Sequence, residues 1–277
     1  MNTDPVILMC PPDFYGIEYE INAWMNRERP ADAAEAAEQW HGLRDVLEGI
    51  GARIQCMAPV ETLPDLVFTA NAALIFEDRA ILSRFRPRER RPEQERYADW
   101  LRGFGFDVTE LPEDAFFEGA GDALFCGDTL WAGYRMRSAA KTLQALGEKL
   151  GVRVIPLELM DPYFYHLDTC FCPLDADTAI YYPAAFDDYG RRVLHDAIPR
   201  LIEISDDEAR AFAANAVVVG EHVVTNEGCA GLHESLAEIG FVPIATPLDE
   251  FTKAGGSAKC LTLRLDGEDA ARWSSRP

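Results

Sequence analysis

Lysine is scarce in this chain: four of its 26 basic residues are Lys, and the rest are Arg. All basic residues together are outnumbered by 47 Asp and Glu, which leaves a net charge of -21. Gripping a phosphate backbone or an anionic membrane needs an excess of Lys and Arg, so this balance argues against nucleic-acid and membrane partners. A cationic small molecule suits an acidic surface, although such charge also serves solubility alone. No apolar run approaches the roughly 20 residues of a membrane span. Met1-Asn2-Thr3-Asp4-Pro5 lacks the basic start and long apolar stretch of a secretory signal, and a cytoplasmic location is expected. The seven cysteines are odd in number and scattered through apolar segments, which suits reduced thiols better than a disulfide framework. The five histidines include no His-Glu-x-x-His pair, and no phosphate-loop or dinucleotide glycine pattern occurs. No metal and no cofactor are therefore expected.

What is present is a repeat. Apolar strand-like segments broken by a turn recur at Asn71 to Ser83, Ala123 to Gly133, Thr169 to Tyr182 and Ala216 to Thr225. Each is followed by a helix-like segment, near Arg90 to Gly103, Ser138 to Leu150, Phe186 to Ala197 and Ala230 to Ile239. Short strands then follow at Phe106 to Leu111, Val152 to Leu157, Leu201 to Ile204 and Phe241 to Ala245. A fifth round is split between the chain ends: Cys260 to Leu265 from one terminus, and Val6 to Met9, a helix over Asp32 to Gly49 and a strand at Arg53 to Met57 from the other. A period of this size suggests a ring, and pairing the terminal strands would remove its free edges. The fold class is α/β, a five-fold α/β propeller of ββαβ modules, read as one domain over residues 1–277 with a flexible tail at 266–277.

Such a ring brings the module entrances to one axis: Asp65 to Asn71, Glu118 to Asp122, His166 to Asp168, Asn215 and Cys260. A thiol by position alone reads as a buried hydrophobe; with His166 at an equivalent entrance, a nucleophile and a proton shuttle become the better reading. Asp65 and Asp168 would suit a planar cation with several N–H donors, although Asp in loops also serves turns and caps. Glu118 is suited either to orienting His166 or to receiving a proton, while Asp122 suits a role within its loop. The basic clusters Arg84 to Arg91 and Arg135 to Arg137 read first as solvated surface, and second as an Arg fork for a substrate carboxylate. Pro11 to Arg29, with Asp13, Tyr15, Asn22 and Trp24, reads as a lid over the ring's mouth or as a surface loop.

Taken in order, Pro64-Asp65-Leu66-Val67-Phe68-Thr69-Ala70-Asn71, Phe117-Glu118-Gly119-Ala120-Gly121-Asp122, His166-Leu167-Asp168 and Ala258-Lys259-Cys260-Leu261-Thr262 resemble the guanidine-modifying superfamily of pentein fold. That superfamily includes arginine deiminases, dimethylarginine dimethylaminohydrolases and amidinotransferases. The segments look most like arginine dihydrolases, the N-terminal part of a longer bacterial enzyme whose further ornithine-processing step is not expected here. The resemblance implies hydrolysis of a guanidino group through a covalent intermediate on Cys260, with His166 as general acid and base and Glu118 beside it. It implies substrate contacts from Asp65, Asn71, Asp168 and Asn22. For the substrate carboxylate it implies Arg90 and Arg137, with Arg91 or Arg135 as replacements. Asn71 stands where deiminases and dimethylargininases place Asp, and in the dihydrolase group this Asn accompanies hydrolysis past citrulline to ornithine. The expected partner is arginine or a related guanidine, with a homo-oligomer possible. Citrulline-forming hydrolysis and amidino transfer are the enzymic alternatives, and a pentein-fold binding protein is the non-enzymic one.

Overall fold

The computed structural model describes residues 4–275; the first three residues of the N-terminal motif and the last two of the tail lie outside the described residues. Five three-stranded sheets follow one plan. In each, a hairpin of two antiparallel strands is joined by a third strand lying parallel to the second, after a helical crossover. The hairpins and returning strands are Ala73–Phe76, Arg79–Leu82 and Asp107–Thr109; Ala123–Cys126, Thr129–Tyr134 and Arg153–Glu158; Phe171–Pro173, Thr178–Tyr181 and Arg200–Glu203; and Val217–Val219, His222–Asn226 and Val242–Thr246. The fifth sheet takes Leu263–Arg264 from one chain end and Val6–Met9 and Arg53–Cys56 from the other. Ile7 pairs with Arg264 and Leu8 with Leu263, antiparallel, which closes the ring. The expected α/β propeller of ββαβ modules is the architecture observed.

The local sequence explains each layer. First strands such as Ala73–Phe76 and Val217–Val219 are apolar throughout and buried at every position, as strands covered on both faces must be. The crossover helix Ala33–Gly49 buries Ala36, Trp40, Leu43 and Leu47, one face at three- and four-residue spacing. It starts where the Asp32 carboxylate accepts from the Ala34 and Glu35 backbone N–H groups.

Two expectations are corrected. The entrances are not loops running straight into strands; each holds a helical turn first, at Thr69–Asn71, Gly119–Asp122, Leu167–Thr169, 212–215 and 258–261. The strand after Cys260 accordingly begins only at Leu263. Backbone bonds such as Ala72 N to Thr69 O and Thr262 N to Lys259 O close these turns. They place the polar side chains at the rim, where an extended strand would bury half of them in the sheets.

The described part of the tail is also packed, against the expectation of flexibility drawn from its polar composition. Ala270, Ala271 and Trp273 are buried, and Trp273 meets Phe76 and Phe125 at 5.2 and 5.9 Å between ring centroids. Gly127 bonds Ala270 O and Arg272 N through its backbone, Gly220 N donates to Asp269, and Arg272 pairs with Asp128 and Asp177. The polar partners Gly127, Asp128, Asp177 and Gly220 lie at hairpin turns, so the tail crosses the end of the ring opposite the entrances. Trp273→Ala should lower the unfolding free energy by about 3 to 5 kcal/mol, read as a reduced denaturant midpoint at constant m. An unchanged midpoint would show that the tail contributes no core.

Candidate active site

The helical turns aim their polar side chains at one volume. Asn215, at the entrance of the fourth sheet, ties two of them together. Its carboxamide oxygen accepts from Ser257 N at 3.0 Å and Cys260 N at 3.1 Å, and its Nδ2 donates to Cys260 Sγ and to the Asp168 carbonyl, both at 3.1 Å. The Cys260 carbonyl accepts from Ala70 N at 3.1 Å, joining the first and last turns across the closure. Cys260 Sγ donates to Asp168 Oδ2 at 3.4 Å. Burial, then the adjacent Asp168 carboxylate, push the thiol well above its ordinary value, against the pull of the Ser257 backbone and Asn215. Both effects favour the protonated form of the thiol.

His166 Nε2 lies 2.8 Å from Glu118 Oε2, which also accepts from Arg137 Nη1 at 2.8 Å. Burial raises the Glu118 carboxyl, but Arg137, His166 and Arg90 outweigh it and hold the group well below the usual carboxylate range. An ionised carboxylate only accepts, so His166 carries its proton on Nε2 and, when neutral, offers the Nδ1 lone pair. Nδ1 is buried without a hydrogen-bond partner. Asp122 serves the backbone: its carboxylate accepts from Ser138 Oγ at 2.6 Å and Leu167 N at 3.2 Å, while Ser138 Oγ accepts from Glu118 N. The loops carrying Glu118 and His166 are locked together by these bonds.

On the other side stand Asp65 and Asn71. Arg90 donates to Asn71 Oδ1 at 2.7 Å, to the Asp65 carbonyl at 3.1 Å, and twice to Glu93, at 2.9 and 2.7 Å. Four of its five N–H groups are thus taken, and its guanidinium lies 4.5 Å from the Phe85 ring centroid. With these bonds in place Arg90 shows no pair of free parallel N–H groups of the kind a carboxylate fork uses. Arg137 donates to Glu118 and to the Ile21 carbonyl and retains further donors. Arg135 pairs with Glu158, and Arg91 bonds the Phe85 and Arg86 carbonyls. Gly121 leaves room for Asn71: a Cβ there would lie only 2.2 Å from Asn71 Nδ2.

Residues 11–29 cover the rim, as a lid would. Tyr15 stacks on Phe251 and bonds the Glu250 carbonyl, and Trp24 Nε1 donates to the Tyr163 carbonyl. Asn22 ties this segment down. Its oxygen accepts from Trp24 N and Met25 N, and its Nδ2 donates to the Ala254 carbonyl. Gly255, at φ +86°, permits that close approach, for a Cβ there would lie 3.0 Å from Trp24 and from Tyr165. The Tyr19 hydroxyl lies beside Asp65 without a well-formed hydrogen bond.

The buried polar atoms without partners outline what the volume can take. They include acceptors at Asp65 Oδ1 and Asp168 Oδ1, a donor at Asn71 Nδ2, and His166 Nδ1. Two acceptors beside a thiol and an imidazole suit a planar N–H-rich cation and attack on its carbon. Asp65, Asn71, Glu118, Asp168, His166 and Cys260 are all at most 2% exposed, so the volume they surround is closed off from solvent. Among the described residues no group of His, Cys, Asp or Glu is arranged to hold a metal ion, and no helix is long and apolar enough to cross a membrane. Of the expected site residues, Asp65, Asn71, Glu118, Asp168, His166 and Cys260 are buried around the shared volume. Arg90 and Arg137 bond Asn71 and Glu118 beside it, and Asn22 bonds Ala254 and its own turn. Asn215, Glu93 and Tyr19 join that volume beyond the expected set. Asn215 was detectable from its place at an entrance; Glu93 and Tyr19 were not.

Ring and site together define the guanidine-modifying superfamily of pentein fold. Within it, the family described as N,N dimethylarginine dimethylhydrolase, eukaryotic, matches residues 17–265, and the chain belongs to that family. It is 46% identical over 270 residues to the bifunctional arginine dihydrolase/ornithine cyclodeaminase ArgZ of Synechocystis sp., covering 96% of this chain but 38% of that protein. The chain thus spans about two fifths of that relative's length. It is 38% identical over 258 residues to the N(G),N(G)-dimethylarginine dimethylaminohydrolase of Mycobacterium tuberculosis, covering 93% of this chain and 84% of that one. The product-bound N-terminal domain of ArgZ, an arginine dihydrolase from the ornithine-ammonia cycle in cyanobacteria, superposes with a TM-score of 0.92 at 45% identity, covering 95% of this chain and 98% of that domain.

The clamp on Cys260 makes a direct test. Asn215→Asp keeps acceptors for Ser257 N and Cys260 N but sets a second carboxylate against the sulfur. Alkylation of Cys260 by iodoacetamide at pH 8, followed by peptide mass spectrometry, should slow by about tenfold, one pKa unit of thiolate population. An equal rate would remove the carboxamide from the control of the thiol.

Proposed function

We propose that the chain is an arginine dihydrolase, converting arginine and two waters to ornithine, carbon dioxide and two ammonia molecules, with residues 1–277 as one catalytic domain. The set of unpartnered buried atoms around Cys260 carries the reading. Asp65 Oδ1 and Asp168 Oδ1 receive the guanidinium N–H groups, and Arg137 keeps donors for the substrate carboxylate. The arriving cation stabilises the Cys260 thiolate, whose proton passes to His166 Nδ1. The sulfur attacks the guanidinium carbon, and ammonia leaves with a proton from His166. Water, losing a proton to His166, then breaks the carbon–sulfur bond to give citrulline.

The second round repeats this on the ureido carbon. Cys260 attacks, the second ammonia leaves, and water cleaves the resulting thiocarbamate to a carbamate, which loses carbon dioxide to yield ornithine. Citrulline is neutral and carries a carbonyl oxygen, so it needs a donor as well as acceptors. Asn71 Nδ2 is such a donor, unpartnered in the site. An Asp there would offer only acceptors and favour release at citrulline. The family match and the mycobacterial relative favour a second reading, hydrolysis of a methylated arginine to citrulline and a methylamine.

Purified protein given arginine should release ornithine and two equivalents of ammonia, resolved by mass spectrometry. Citrulline as the sole product, or turnover of dimethylarginine alone, would replace this reading with the second. The ionisation of Asp168 supplies a pH test. Burial raises its carboxyl to about 7, with Lys259 pulling it back. Below that value the proton removes a guanidinium acceptor, and above it the carboxylate is charged. The ratio kcat/KM should therefore rise about tenfold from pH 6 to pH 8. A profile flat across that interval would place the titration elsewhere.

A further inference from the structure

Glu93 is wholly buried at the start of the helix Glu93–Phe104, three residues after Arg90. Its two carboxylate oxygens take Arg90 Nε at 2.9 Å and Nη2 at 2.7 Å, a bidentate pair that fixes the plane of the guanidinium. The remaining nitrogen, Nη1, is left facing Asn71 Oδ1 at 2.7 Å. Arginine carries donors and no acceptor, so the atom of Asn71 that meets it must be the amide oxygen. The amide NH2 is thereby turned away from Arg90 and lies buried without a partner, beside His166 Nδ1 and above the missing side chain of Gly121.

We infer that Glu93 is a positioning residue which, through Arg90, locks the orientation of the Asn71 amide and so determines how far hydrolysis proceeds beyond citrulline. The inference rests on the dihydrolase reading and adds a residue remote from the reacting atoms. The first substrate, a guanidinium, has only donors to offer the site, and Asp65 and Asp168 bind it whichever way Asn71 points. Citrulline differs by one carbonyl oxygen. Only an amide with its NH2 inward can donate to that oxygen and hold the neutral ureido group against Cys260. Without Glu93, the Asp65 carboxylate competes for Arg90, since its Oδ2 already lies 3.8 Å from Nε. A guanidinium drawn to Asp65 releases the Asn71 oxygen, and the amide is free to turn.

The experiment compares product partition in wild type and Glu93→Gln, which preserves shape but replaces one acceptor with a donor facing arginine. The quantity read is the ratio of released citrulline to ornithine, with arginine as substrate. A variant that only folds less well lowers both products together and leaves this ratio unchanged. The ratio should rise by about tenfold, the effect of losing one hydrogen bond's hold on the amide. Glu93→Asp keeps both acceptors and should restore much of the wild-type ratio. If Glu93→Gln is recovered unfolded, Glu93→Asp is the deciding variant, and its shorter reach should shift the ratio the same way by less. An unchanged ratio in the folded variant, with wild type forming ornithine, overturns the inference. Wild type forming no ornithine overturns instead the dihydrolase reading beneath it.

Discussion

Two register pairs, Ile7 with Arg264 and Leu8 with Leu263, are the constraint on which the molecule depends. They join the two chain ends into one sheet and turn a row of four modules into a closed ring. Without them the turn holding Cys260 would have no fixed place relative to Thr69–Asn71, whose Ala70 N–H bonds the Cys260 carbonyl. The entropy of closing so long a loop is opposed by apolar burial in every sheet. The site therefore depends on contacts of the greatest sequence separation in the fold. Substitutions at Ile7 or Leu8 would act on the thiol at a distance.

Once closed, the ring brings carboxylates together at a cost. Asp65, Glu93, Glu118 and Asp168 are buried within one region, and Arg90 and Arg137 offset part of their charge. Taking ionised groups from water costs several kcal/mol each unless they are paired and hydrogen-bonded. Glu118 is so paired and stays ionised; Asp168 is displaced upward by its burial, which Lys259, Cys260 and Asn215 offset only in part. Carboxylates outnumber the two arginines there, a charge pattern that suits a cationic ligand of the kind proposed above. Selectivity thus begins in electrostatics and is refined by the direction of individual hydrogen bonds.

Much of this was legible in the sequence. Recurrent apolar hairpins gave the module count, and their order placed Asp65, Glu118, His166, Asp168 and Cys260 at equivalent positions. The helical turns at the entrances were not legible, because Thr-Ala-Asn and Leu-Asp-Thr carry no strong local preference and their shape follows from packing at the rim. The bonds of Arg90 to Glu93 and Asn71 were hidden for a related reason. Arg90 lies in an Arg-rich segment that looks solvated, and nothing local signals that Glu93 is buried with it. The tail misled through its polar composition, since one Trp and two Ala suffice to dock it. The capping of its own turn by Asn22 was not legible either, because a carboxamide in a loop signals a cap and a ligand contact equally well.

The tail has a further consequence for traffic through the ring. Trp273, Ala270 and Ala271 cross the end opposite the lid, and Lys259 and Glu268 form an ion pair beside the axis. The tail thus covers that end of the ring, while residues 11–29 pack over the entrance side. Under the dihydrolase reading proposed above, a molecule altered once by the thiol would face a race between release past those residues and a second attack. Under such confinement the outcome becomes a kinetic commitment, set by dwell time as much as by affinity.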